Sequence, residues 1–156
     1  MTDKPGNDNS TPMQTLYLPS DLVPEPNMDE RAFWANCAQR RLAFQRCGAC
    51  GHYRHPPVPI CPACHSDRIE WTDAPAQGEV YSYTIVHHPS HPAMQACVPY
   101  NVAVVAFRGL GDVRLITNIV DAAPEQMAIG MRVQLHWEGP VGGTFLPRFR
   151  KAGAAT

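Results

Sequence analysis

Two pairs of cysteines constrain this chain more than anything else in it. Cys47 and Cys50 form one pair and Cys61 and Cys64 the other, spaced C-x2-C-x10-C-x2-C. Each pair sets two thiolates at the tip of a tight turn, and Gly48, Gly51 and Pro62 supply the turn chemistry. Two such turns facing each other offer four sulfurs in a tetrahedron, the geometry that Zn²⁺ takes in closed sites. The loop between them carries Pro56, Pro57 and Pro59. It is short and stiff, and long enough to bring the second knuckle under the first. Two disulfides would require an oxidising compartment, and four unrelated buried thiols would make the paired spacing a coincidence. Iron is the competing metal, because the same four thiolates hold it. Four protein ligands leave no open position for water or substrate, so the expected Zn²⁺ is structural.

A knuckle of this size cannot bury a core, and the rest of the chain must supply one. Lys and Arg number 13 against 14 Asp and Glu, a net charge of −1 with no run of like charge, which weighs against a nucleic-acid binder. The polar first residues lack the apolar stretch of a secretory signal, and no segment approaches a membrane span. Six cysteines in such a chain point to a reducing cytoplasm and a metal rather than a disulfide frame. Cys37 and Cys97 read as small buried apolar residues.

Residues 1–26 read as a flexible or extended arm. Leu16, Tyr17, Leu18, Leu22 and Val23 are fenced by Pro12, Pro19, Pro24 and Pro26, which forbid a long helix. Asn27 is a good N-cap with Glu30 three residues on, so a helix is expected over 27–46. Phe33, Cys37 and Phe44 lie near one face of it, and Trp34, Ala38 and Leu42 make an adjoining one. So broad an apolar band would pack on the knuckle and a partner, or cap its own domain. The ribbon is expected over 47–74, closed by a short strand at Ile69–Trp71, with Thr72–Gly78 as the link onward. From Glu79 the pattern changes to period two. Strands are expected at 80–86, 101–107, 113–119, 132–137 and 144–149, with Val104 in the core. A helical turn starting at Pro124 falls between the third and fourth. This is the pattern of a five-stranded OB-type barrel over 75–151, followed by a tail at 152–156. The fold class is α+β, mostly β: an N-terminal helix, a rubredoxin-like zinc ribbon and a C-terminal five-stranded OB-fold barrel.

An ordered set of motifs carries a family resemblance. Phe33-Trp34 and Leu42 precede the two cysteine pairs. Gly78-Glu79-Val80-Tyr81-Ser82-Tyr83-Thr84 opens the barrel, and Val98-Pro99-Tyr100, Arg114-Leu115-Ile116-Thr117-Asn118 and Ile129-Gly130-Met131-Arg132-Val133 follow. From about Asn27 to Arg150 the chain resembles the Zn-ribbon OB-fold (DUF35, acyl-CoA-associated) proteins. The resemblance implies a non-catalytic accessory subunit of an acyl-CoA-processing complex. Its catalytic partner would be a thiolase-like enzyme, an acyl-CoA hydratase or an aldolase of the lipid-transfer type, in lipid or steroid metabolism. It further implies a hetero-oligomer, with the helix and ribbon near the acyl-CoA or the catalytic subunit.

On that reading Phe33, Trp34, Arg40, Arg41, His87, His88 and His91 are the candidate ligand- or partner-facing residues. The three histidines form a dense cluster, but no carboxylate follows them until Asp112. Shaping a partner's pocket therefore suits them better than a second metal, and ordinary loop histidines remain the plain alternative. Arg40, Arg41, Arg46, Arg54, Arg148 and Arg150 are available for coenzyme A phosphates or as surface charges. The sequence holds no G-x-S-x-G and no H-E-x-x-H, so no catalytic residue is assigned. The rival function class is a single-stranded nucleic-acid binder, with Tyr81, Tyr83 and Phe107 stacking bases.

Overall fold

In the computed structural model of the chain, residues 24–153 are described. The expected arm lies almost wholly outside them. The first element is not the long helix read over 27–46 but a short one, α1, Arg31–Ala38. Asn27 does turn the chain, its Oδ1 accepting from the backbone N–H groups of Asp29 and Glu30 at 3.0 Å each. The helix then stops at a Schellman motif, where Arg41 N–H reaches Asn36 O at 3.0 Å and Arg40 N–H reaches Cys37 O at 2.9 Å. That motif puts Arg40 at φ +55°, a left-handed conformation that costs a non-glycine residue about 1–2 kcal/mol. The guanidinium of Arg40 sits 4.2 Å from the Phe145 ring centroid, a cation–π contact that offsets part of the cost.

Leu42 and Phe44 therefore leave the helix. Phe44 lies in β1, Ala43–Cys47, the central strand of a three-stranded sheet ordered β2-β1-β3. Its neighbours are β2, Tyr53–Arg54, and β3, Ile69–Asp73, both antiparallel to it. The closing strand thus runs two residues past Trp71 and shortens the link to 74–76. The second sheet holds β4, Gln77–Val86; β5, Tyr100–Ala106; β6, Arg114–Thr117; β7, Arg132–Val141; and β8, Thr144–Lys151. All pairs are antiparallel, in the order β6-β5-β4-β7-β8. One 3-10 turn begins at Pro124, as expected, and another spans Pro92–Cys97.

The five strands curl into a half-barrel of OB type. Its outer strands approach through one parallel bridge, Ile119 to Phe149, and Thr117 Oγ1 donates to Pro147 O across the same seam at 2.6 Å. A buried polar network ties the seam. Asn101 exchanges two hydrogen bonds with the Ile119 backbone at 2.8 Å, and Asn118 links Asn101 O to Arg148. Arg148 Nε in turn meets Glu138 Oε2 at 2.7 Å. Each buried polar group here is matched, which is the condition for such a network to stabilise rather than cost.

One core serves both sheets. Phe33 of α1 stacks on Phe44 of β1 at 6.4 Å, Phe44 meets Phe107 at 5.2 Å, and Phe107 meets Phe149 of β8 at 6.0 Å. Aromatic pairs of this kind add about 0.5–1.5 kcal/mol each beyond the area they bury. Helix α1 packs chiefly on β8, so its apolar face is largely covered within the chain. In β5 the buried residues are Asn101, Ala103 and Val105. Val104, expected in the core, points outward and is only half-buried.

Candidate metal centre and apolar cleft

Both cysteine turns are built on one plan. In the first, Gly51 N–H donates to Cys47 O at 2.9 Å; in the second, His65 N–H donates to Cys61 O at 2.8 Å. The residue after each second cysteine has a positive φ, +76° at Gly51 and +59° at His65. This left-handed step tightens each turn, so the two cysteines of a pair present their sulfurs to one point. Cys47 ends β1 and thereby fixes the first turn to the sheet. Gly48 N–H to Arg68 O at 3.1 Å holds the second turn's exit against the first.

All four sulfurs fall within 4.8 Å of one another. Cys47 and Cys64 are 3.6 Å apart, and Cys50 and Cys61 3.7 Å. A tetrahedral ion with metal–sulfur bonds of about 2.3 Å requires sulfurs roughly 3.8 Å apart. The thiols do not titrate alike. The Cys50 backbone N–H, helped by that of Ala49, draws the Cys47 pKa down to about 6. At Cys64 the Ser66 N–H pulls the same way but is outweighed by the Cys50 sulfur, burial and the other sulfurs, which push it up to about 12. Four thiolates this close repel, and a divalent cation removes the repulsion. The donor set fits a structural zinc ion.

A largely apolar cleft of about 240 Å³ lies where α1, the loop after β2 and the two edge strands of the half-barrel converge. Trp34, His55, Pro56, Ile116 and Leu146 line it. Nothing in the sequence singles out His55. Its ring lies 4.9 Å from Phe33 and 5.1 Å from Phe44, and its buried Nδ1 has no hydrogen-bond partner among the described residues. Burial pulls its pKa down to about 4, so the ring is neutral at ordinary pH.

The structure does not bring the other candidates together. Phe33, expected to face a partner, is buried in the chain's own core. Trp34 is half-buried against that core and also borders the cleft. Arg41 is paired with Asp73 at 2.5 Å and Arg46 with Glu70 at 2.8 Å. Arg54 is buried, its Nε on Gln45. Arg148 is committed to the seam, and Arg150 contacts His136. His87 and His88 are exposed. His91 caps the first 3-10 turn, its Nδ1 accepting from Ala93 N–H at 3.2 Å. Among the described residues the four cysteines are the only cluster with metal-ligand geometry. Phe107, a candidate base-stacking ring, is buried in the core.

Residues 34–70 match the model of the ChsH2 rubredoxin-like zinc ribbon domain, and residues 71–138 that of the ChsH2 C-terminal OB-fold domain. The chain is similar to a probable enoyl-CoA hydratase alpha subunit from Thermomonospora curvata, at 45% identity over 89% of this chain and 43% of that protein. It thus spans less than half of that relative. A DUF35 domain-containing scaffold protein from Methanocaldococcus jannaschii is 35% identical over 65% of this chain and 71% of its own length. A chain of the Ltp2-ChsH2(DUF35) aldolase superposes with a TM-score of 0.74 at 43% identity, over 83% of this chain and 98% of that one.

Proposed function

We infer, since this chain belongs to the DUF35 family of zinc-ribbon OB-fold proteins, that it is an accessory subunit of an acyl-CoA-processing complex and not its catalyst. The observation that carries this reading is the 43% identity to a chain of the Ltp2-ChsH2(DUF35) aldolase, 98% of which is covered. The hydratase subunit and the scaffold protein support the same class of role. The catalytic partner is then a hydratase or aldolase acting on acyl-CoA, a thiolase-like enzyme being the remaining candidate, and the compartment is the cytoplasm.

Cys47, Cys50, Cys61 and Cys64 hold the zinc. With four thiolates it has no position for substrate, so it orders the ribbon rather than acting on a thioester. Trp34 and the rim of the apolar cleft are the partner-facing surface. The ring of Trp34 is anchored in the core on one side and bounds the cleft on the other, which suits an interface anchor.

Co-purification from the native host, followed by assay of the chain with and without its companion, tests the assignment. Acyl-CoA turnover is expected only in the assembled complex. Robust turnover by the purified chain alone would overturn it.

A further inference from the structure

The strand register sets Arg114, Ala106, Glu79 and Arg132 in one row across β6, β5, β4 and β7. Residues directly opposed in an antiparallel sheet project to the same side. The adjacent row, Leu115, Val105 and Val80, is buried, so this one faces out. Ala106 in its middle is short, which leaves a trough. With Arg108 from the turn after β5, the trough widens into a cleft of about 630 Å³.

Three guanidinium groups and one carboxylate face this cleft, an excess of two positive charges in a chain whose net charge is −1. Among the described residues neither Glu79 nor any of the three arginines forms an ion pair. Arg114 is held in place by neutral groups. Its Nη1 donates to Val113 O at 2.9 Å, and its guanidinium lies 4.5 Å from the Tyr81 ring centroid. A positioned guanidinium presents a fork of donors matched to phosphate oxygens. None of these three arginines is among the six that the sequence alone offers for phosphates.

We propose that this cleft binds the phosphoryl groups of a small diphosphate ligand. Arg108 and Arg132 supply mobile cations at its sides, and Arg114 a fixed one. Glu79 offsets one charge, which leaves the complement of a dianion. The proposal does not depend on the assembly inferred above, because free nucleotides and coenzyme A both carry a diphosphate.

The test is calorimetric titration of the full chain with inorganic pyrophosphate, ADP and coenzyme A, with sulfate at equal ionic strength as the control. Saturable pyrophosphate binding is expected, weakened at least about tenfold by the double substitution Arg108→Gln and Arg132→Gln, with the melting temperature unchanged. Glu79→Gln is expected to tighten it. Similar affinities for ADP and coenzyme A would assign the shared diphosphate to the cleft. A preference for coenzyme A would add its ribose phosphate to the same contacts. Failure to saturate by about 10 mM, sulfate binding as tight as pyrophosphate, or an affinity indifferent to these substitutions would overturn the proposal.

Discussion

Phe44 is the side chain on which most of the packing turns, being fully buried and in ring contact with Phe33, His55 and Phe107. Phe44→Ala should cost about 3–5 kcal/mol in a denaturant titration. Val104→Ala should cost far less, because that side chain is half-exposed. His55 adds a pH dependence. Its pKa is about 4 in the folded chain against about 6.5 when unfolded. The unfolded state therefore binds the proton more readily, so stability is untouched above about pH 6.5 and falls as pH drops toward 4. An NMR titration of the ring should place its midpoint near 4, and His55→Gln should flatten that part of the stability profile. Neither feature is equally legible in the sequence. The cysteine spacing states its geometry outright. Val102-Ala103-Val104-Val105-Ala106 is apolar at every position, so period two cannot say which parity faces inward, and Val104 turns out to lie on the outer side. His55 gives no signal because its burial depends on Phe33 and Phe44, which reach it from two different elements.

The ribbon and the first helix carry the predictions that belong to whole elements. Elemental analysis should give one zinc per chain, and Cys61→Ser should lower that content and loosen the second knuckle, because three thiolates no longer close the site. Trp34→Ala should weaken assembly with the catalytic subunit by about 2 kcal/mol, read as a shift in the dissociation constant, with a smaller effect on the chain's own melting than Phe33→Ala. A mixture that assembles normally with Trp34→Ala would move the interface elsewhere. The helix boundary is the clearest case of local pattern overruled. Residues 39–46 contain good helix formers, and nothing local forbids continuation. What ends α1 is the demand of β2 and β3 for a central partner, which only 43–47 can supply. The five later strands were readable because β-branched and aromatic residues alternate between glycine-rich turns. The capping role of His91 was not, since its partner is a 3-10 turn with no strong sequence pattern.

As a whole molecule the chain bears a net charge of −1, and Arg41, Arg46, Arg54 and Arg148 are spent on ion pairs, the seam or the core, which leaves cations in patches rather than a stripe. A gel-shift titration with mixed single strands should show no retardation at physiological salt, since phosphate-driven binding needs a continuous basic surface. Steeply salt-dependent retardation would favour the nucleic-acid reading of the OB fold. No helix among the described residues is long and apolar enough to cross a membrane. The strand β1 has a consequence for how the molecule comes apart. It is five residues long, with Phe44 in the shared aromatic core and Cys47 among the metal-binding sulfurs. Two regions joined through so short a rigid segment cannot open independently. Hydrogen exchange should show the β1 amides protected to the same degree as those of the half-barrel, as one cooperative foldon. A chelator should then speed exchange in β5 and β8 as well as in the ribbon, and metal supply would govern the lifetime of the whole fold.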